Sequence, residues 1–153
     1  MNNKIFPCLW FDREAEEAAK FYTSVFRNSK IITTTRYDAS SAKAAGLPEG
    51  TVMTVIFELD GMQFMALNGG PLFKFSEAIS FVVNCKDQEE IDYYWKALSA
   101  HPENEQCGWL KDKFGLSWQI VPGNLGELIT SPKATAKLMD MKKIVIDELK
   151  NAQ

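Results

Sequence analysis

The strongest constraint on the fold of this chain is a pattern that runs twice: strand, amphipathic helix, then a hairpin that closes on Asp and Gly. In the later copy, Cys107 to Pro122 reads as two short strands carrying Trp109 and Trp118 around an Asp112-Lys113-Phe114-Gly115 turn, where glycine supplies a positive φ. Leu116, Trp118 and Ile120 alternate with Ser117, Gln119 and Val121, so one face is apolar and the other mixed. The earlier hairpin, Val52 to Leu59 and Met62 to Leu67, closes on Asp60-Gly61. Tyr22 and Trp95 in the two helices lie 73 residues apart, whereas the turn glycines Gly61 and Gly115 lie 54 apart. The second half is therefore 19 residues shorter between helix and hairpin. That deficit removes the counterpart of a long loop and most of one strand, leaving His101 to Gln106 as a short connection.

Taken in order, Lys4 to Phe11 reads as a strand and Asp12 as the N-cap of a helix whose buried stripe is Ala15, Ala18, Ala19, Tyr22 and Phe26. Ser29 to Tyr37 is strand-like, and Asp38 to Gly50, rich in Ala, Ser and Gly, reads as a mobile loop. After the first hairpin comes the turn Asn68-Gly69-Gly70-Pro71. The second module then begins with a strand from Ile79 to Asn84. Asp87 and Glu90 form a capping box for a helix with Ile91, Tyr94, Trp95 and Leu98 inward. Beyond Pro122, Ser131-Pro132 starts a further helix continued by Leu138, Met141 and Val145, with a break possible at Ile144-Val145-Ile146.

These elements give an α+β protein: residues 1–70 as module one, 78–122 as module two, together a domain over 1–122, and 123–153 as a C-terminal helical extension. A chain of 153 residues suits one such domain and needs neither metal nor disulfide to fold. A net charge of -3 with scattered Lys and Arg gives no footprint for nucleic acid. The apolar run Ile5 to Phe11 contains Pro7 and is followed by acidic residues, so it reads as neither signal peptide nor membrane span, and a cytoplasmic location is expected. The three cysteines, Cys8, Cys85 and Cys107, are widely spaced and odd in number, which favours buried thiols over a disulfide framework or a zinc knuckle.

Two such modules resemble the vicinal oxygen chelate superfamily of glyoxalase I, bleomycin resistance proteins and extradiol dioxygenases. The closer likeness is to its PhnB-like branch, labelled demethylubiquinone methyltransferase-like. It rests on Phe11-Asp12, Leu59-Asp60-Gly61, Phe64 through Pro71, Ile79-Ser80-Phe81, Cys107 through Asp112 and Gly115 through Gln119. The resemblance implies two β-α-β-β-β modules forming an open cleft of curved mixed sheets, a homodimer, and a site inside the cleft. It places the superfamily's four metal ligands on or next to Pro7, Met65, Ala78 and Gln119, of which only Gln119 could bind a metal. With His101 as the single histidine, a two-His-one-carboxylate iron site cannot be assembled. No metal and no cofactor are therefore expected.

Within the implied cleft, Gln119 lies opposite Trp118 by alternation, and its amide would need partners that a ligand or the neighbouring backbone could supply. Ser80 would face the same way, with no His or Lys to activate it. Leu9, Phe11, Met65 and Leu67 would line the remaining wall, or simply fill it. Trp109 is ambiguous between stacking on a ligand and packing, whereas Trp10 reads as core. Cys107 lies near Lys111 and Lys113 in sequence, yet lacks a visible His partner. The methyltransferase label finds no glycine-rich G-x-G loop anywhere in the chain. The function these readings favour is metal-independent binding of a small, largely apolar organic molecule. The rivals are a lyase, isomerase or oxygenase with an atypical metal site, the nominal methyltransferase, and a scaffold whose cleft is filled by its own side chains.

Overall fold

Each half of the chain builds its own open sheet in the computed structural model, which describes residues 4–152. The chain divides into two compact units, the first ending at Lys74 and the second beginning at Phe75. In the first unit β1 (Cys8–Phe11), α1 (Ala15–Val25), β2 (Lys30–Arg36), α2 (Ala39–Ala45), β3 (Val52–Leu59) and β4 (Met62–Asn68) give a sheet of order β1-β4-β3-β2. Strands β1 and β4 are parallel and the other pairs antiparallel. The second unit repeats this with one strand fewer: β5 (Ser80–Cys85), α3 (Gln88–Leu98), β6 (Trp109–Lys111) and β7 (Ser117–Pro122), in the order β5-β7-β6. The missing strand corresponds to β2. What replaces it among the described residues is a short 3-10 turn, Pro102–Asn104, and a single bridge between Gln106 and Trp109.

The first hairpin turns as its sequence requires: Asp60 and Gly61 have φ of 47° and 82°, the paired left-handed residues of a type I′ turn. Phe57 stacks on Phe64 across β3 and β4 and on Tyr22 of α1, which fixes the helix-facing side of that sheet. Two local expectations are corrected. The stretch after Asp38 is not a loop throughout but contains α2, because Asp38 accepts from the Ser41 amide at 2.7 Å and Gly46 ends the helix in the left-handed region. Asp12 does not cap α1. The cap position is Glu14, without a side-chain bond, and the Ala15 amide donates instead to Asn68 Oδ1 at 2.9 Å.

Trp10 is not core either. Its indole lies over Gly69, donates to the Gly70 carbonyl at 2.9 Å, and meets Phe73 edge-on at 4.9 Å. A Cβ at Gly69 would stand 2.3 Å from that ring, so the second residue of Asn68-Gly69-Gly70-Pro71 is glycine because an indole occupies the space. Gly69→Ala is expected to cost about 1–3 kcal/mol, the usual penalty for overpacking, in urea denaturation. Trp10→Ala in the same chain should absorb most of the Gly69→Ala penalty, and an unchanged midpoint for Gly69→Ala alone would contradict the packing.

The C-terminal segment is integral to the second unit. Helices α4 (Leu125–Leu128), α5 (Pro132–Asp140) and α6 (Ile146–Lys150) gather Leu128, Leu138, Met141, Ile144 and Leu149 around Val121 of β7. The amides of Cys107 and Gly108 donate to the carbonyls of Met141 and Lys142, both at 2.8 Å. The helix ends earlier than the β-branched run, at Asp140 with Met141 extended, so Met141 and Val145 do not continue it; Ile146 already begins α6, and Gln88 of α3 bonds both the Ile144 carbonyl and the Ile146 amide across the gap.

Candidate functional site

The side of the first sheet turned away from α1 is built in rows, because residues in register on neighbouring strands project to one face. One row runs Lys30, Glu58, Gln63; the next runs Thr33, Ile56, Met65, Cys8; a third runs Thr35, Thr54, Leu67, Trp10. A groove of about 510 Å³ opens on this face, lined by Phe6, Lys30, Ile32, Thr33, Ile56, Glu58 and Gln63. Its volume falls in the range of small-molecule sites. A register shift in β2 between Ile31 and Thr33 brings Ile32 into the lining.

Of the residues proposed for this wall from sequence, Met65 and Leu67 lie on the grooved face, although outside the lining itself. Leu9 and Phe11 do not. They are paired with Ala66 and Asn68, are each 4% exposed, and belong to the buried, helix-facing side. The cause is the parity of an all-apolar strand: Leu9, Trp10 and Phe11 give no polar alternation to orient it. The seat that Gly69 provides draws Trp10 to the outer face, which sends its two neighbours inward.

In the second unit, Trp118, Ile120 and Leu110 form the buried side of the sheet, and Ser80, Gln119, Trp109 and Lys111 share the other. Gln119 Nε2 donates to Ser80 Oγ at 2.9 Å, so the amide finds a side-chain partner rather than a backbone one. Trp109 is half-buried beside Gln119. Lys111 Nζ meets Glu77 Oε1 at 2.5 Å, and this hydrogen bond holds the Glu77 carboxyl below the usual carboxylate range. Ser80, Gln119 and Trp109 are thus brought together on one polar surface. None of these groups activates the Ser80 hydroxyl.

The superfamily's metal positions do not fit a metal in this chain. Pro7, Met65 and Ala78 carry no nitrogen or oxygen side-chain donor, which leaves the amide oxygen of Gln119, whose Nε2 donates to Ser80, as a single donor at these four positions. No three His, Cys, Asp or Glu side chains converge among the described residues. Of the three thiols, Cys8 is exposed and burial of its sulfur raises its pKa. Burial, with the Glu90 and Asp87 carboxylates nearby, pushes Cys85 up to about 12, and Cys107 Sγ packs against Met139, 3.7 Å from its sulfur.

Two open mixed sheets, each strand-helix-then-hairpin and each with its helix on one side only, define a glyoxalase-fold protein of the vicinal oxygen chelate superfamily. Within it the chain belongs to the PhnB-like family described as 3-demethylubiquinone-9 3-methyltransferase, whose pattern matches residues 3–121. Among solved structures it is similar to the PhnB protein of Bacillus cereus, with 36% identity, a TM-score of 0.64, and coverage of 78% of this chain and 99% of that one. A Pseudomonas aeruginosa protein at 16% identity has a TM-score of 0.57 and coverage of 79% and 98%. The fosfomycin resistance protein FosX of Listeria monocytogenes, also at 16% identity, has a TM-score of 0.52 and coverage of 86% and 99%. These last two share the fold alone. No curated protein matches the chain.

The groove residues Lys30, Thr33, Ile56, Glu58 and Gln63 were not among the site candidates drawn from sequence. Their signal was present in part. The Asp60-Gly61 turn sets Glu58 opposite Gln63, and alternation along β3 puts Thr54, Ile56 and Glu58 on one face. The irregular register of β2, which decides that Lys30 and Ile32 join them, has no sequence signature.

Proposed function

We propose that this protein binds a small, largely apolar organic molecule without a metal, on the grooved face of its first sheet. The observation that supports this most is the groove itself, with apolar walls from Phe6, Ile32 and Ile56 beside the few polar groups of Lys30, Glu58, Gln63 and Thr33. Ser80, Gln119 and Trp109 offer a second polar contact surface in the other unit, for hydrogen bonding and stacking. A homodimer in the cytoplasm is part of the same proposal. Exposed Leu72 and Phe73 favour a protein partner, and the three cysteines stand free. No helix among the described residues is long and apolar enough to cross a membrane.

Native mass spectrometry with elemental analysis, on protein purified without chelator, tests the reading. The expected result is a metal-free dimer carrying an organic adduct that is lost on Ile56→Lys, which drives a charge into the groove. Stoichiometric transition metal that disappears on Gln119→Ala would replace this function with that of a metal-dependent lyase, isomerase or oxygenase.

A further inference from the structure

We infer that the groove on the first sheet selects an organic cation, an apolar molecule ending in a protonated primary amine. This rests on the small-molecule reading above and gives its ligand a chemical class. Gln63 carries the argument: it lines the groove, is only 9% exposed, and its amide has no hydrogen-bond partner among the described residues. No buried side-chain nitrogen or oxygen among the described residues lacks a partner, so the Gln63 amide meets water, and the groove it lines is where a ligand can replace that water. Beside it in register stands the Glu58 carboxylate, and the Thr33 hydroxyl lines the same groove. Carboxylate, amide carbonyl and hydroxyl are three acceptors, the complement that the three N–H donors of an ammonium require.

Charge selects a cation over an anion. Lys30 Nζ stands 3.4 Å from Glu58 Oε2, but the Lys30 side chain is 69% exposed and that of Glu58 only 26%. The carboxylate is therefore the fixed member of the pair, and the lysine, on the edge strand, is the one that can swing into water. An exposed pair of this kind holds weakly, so an incoming ammonium displaces it at small cost. Lys30 already shows which charge the position accepts. The ligand's hydrocarbon part then lies along Ile56 and Ile32, towards Phe6.

The test titrates hexylamine, hexanamide and hexanoate into the full chain and follows backbone amide shifts by NMR. Hexylamine is expected to bind about tenfold more tightly than either of the others, with the shifts centred on Thr33, Glu58 and Gln63. Glu58→Gln should abolish that preference, whereas Lys30→Gln, which leaves the carboxylate unpaired, should tighten hexylamine severalfold. Lys30 is exposed and Glu58 half-buried, and circular dichroism checks that the variants are folded. Preference for hexanamide or hexanoate, or a hexylamine preference that survives Glu58→Gln, would overturn the amine assignment while leaving the groove as a binding site. No shift at these residues with any of the three probes would overturn both.

Discussion

Replacing Asp112 with alanine is expected to cost the second unit about 3–5 kcal/mol in chemical denaturation. The Asp112 side chain is fully buried. Its Oδ1 accepts from the amides of Phe114 and Leu116 at 2.9 and 3.1 Å, and its Oδ2 accepts from the Trp118 indole at 2.8 Å. Each hydrogen bond to a carboxylate contributes about 1.5–3 kcal/mol, and removing the acceptor strands donors that water cannot reach. Relief of a buried charge offsets part of this, which keeps the net below the sum. Asp112→Asn retains one acceptor oxygen and turns an amino group towards the remaining donors, so a smaller loss of about 1–3 kcal/mol is expected. Loss of less than about 1 kcal/mol for the alanine variant would mean that the turn is held by its backbone bonds, Asp112 N to Leu116 O and Gly115 N to Asp112 O, and not by the carboxylate.

That carboxylate also shows what sequence can and cannot reveal. The Asp112-Lys113-Phe114-Gly115 turn was legible because Gly115 must take a positive φ, and it does, at 86°. The reach of Asp112 to a tryptophan six residues on was not, since nothing local distinguishes a turn aspartate from a buried one. The modular repeat was legible down to the lost strand, because a 19-residue deficit between matched landmarks cannot be absorbed without removing an element. Polar alternation likewise brought Ser80 and Gln119 to one face, where they are hydrogen-bonded at 2.9 Å. Where alternation is absent, the side chains carry no local mark of the face they take. The parity of Leu9-Trp10-Phe11 depends on a glycine nearly sixty residues away, and the groove depends on a register shift in β2. Both are tertiary facts.

Asn68→Ala is expected to destabilise the first unit by about 2–4 kcal/mol, and to do so at a distance in sequence. Asn68 is 2% exposed. It accepts from Ala15 N at 2.9 Å, donates from Nδ2 to the Val52 carbonyl at 3.0 Å, and receives the Tyr37 hydroxyl on its own carbonyl at 2.7 Å. One side chain therefore caps α1 and ties the end of β4 to the start of β3. Losing a helix cap costs about 0.5–2 kcal/mol, and stranding the Val52 carbonyl adds about 1–3. Hydrogen exchange should show the Ala15 amide losing protection. Tyr37→Phe, alone worth about 1 kcal/mol, should be less than additive with Asn68→Ala, because the alanine variant loosens the carbonyl that the hydroxyl holds. A fully additive pair would show the Tyr37 bond to be independent of the Asn68 side chain.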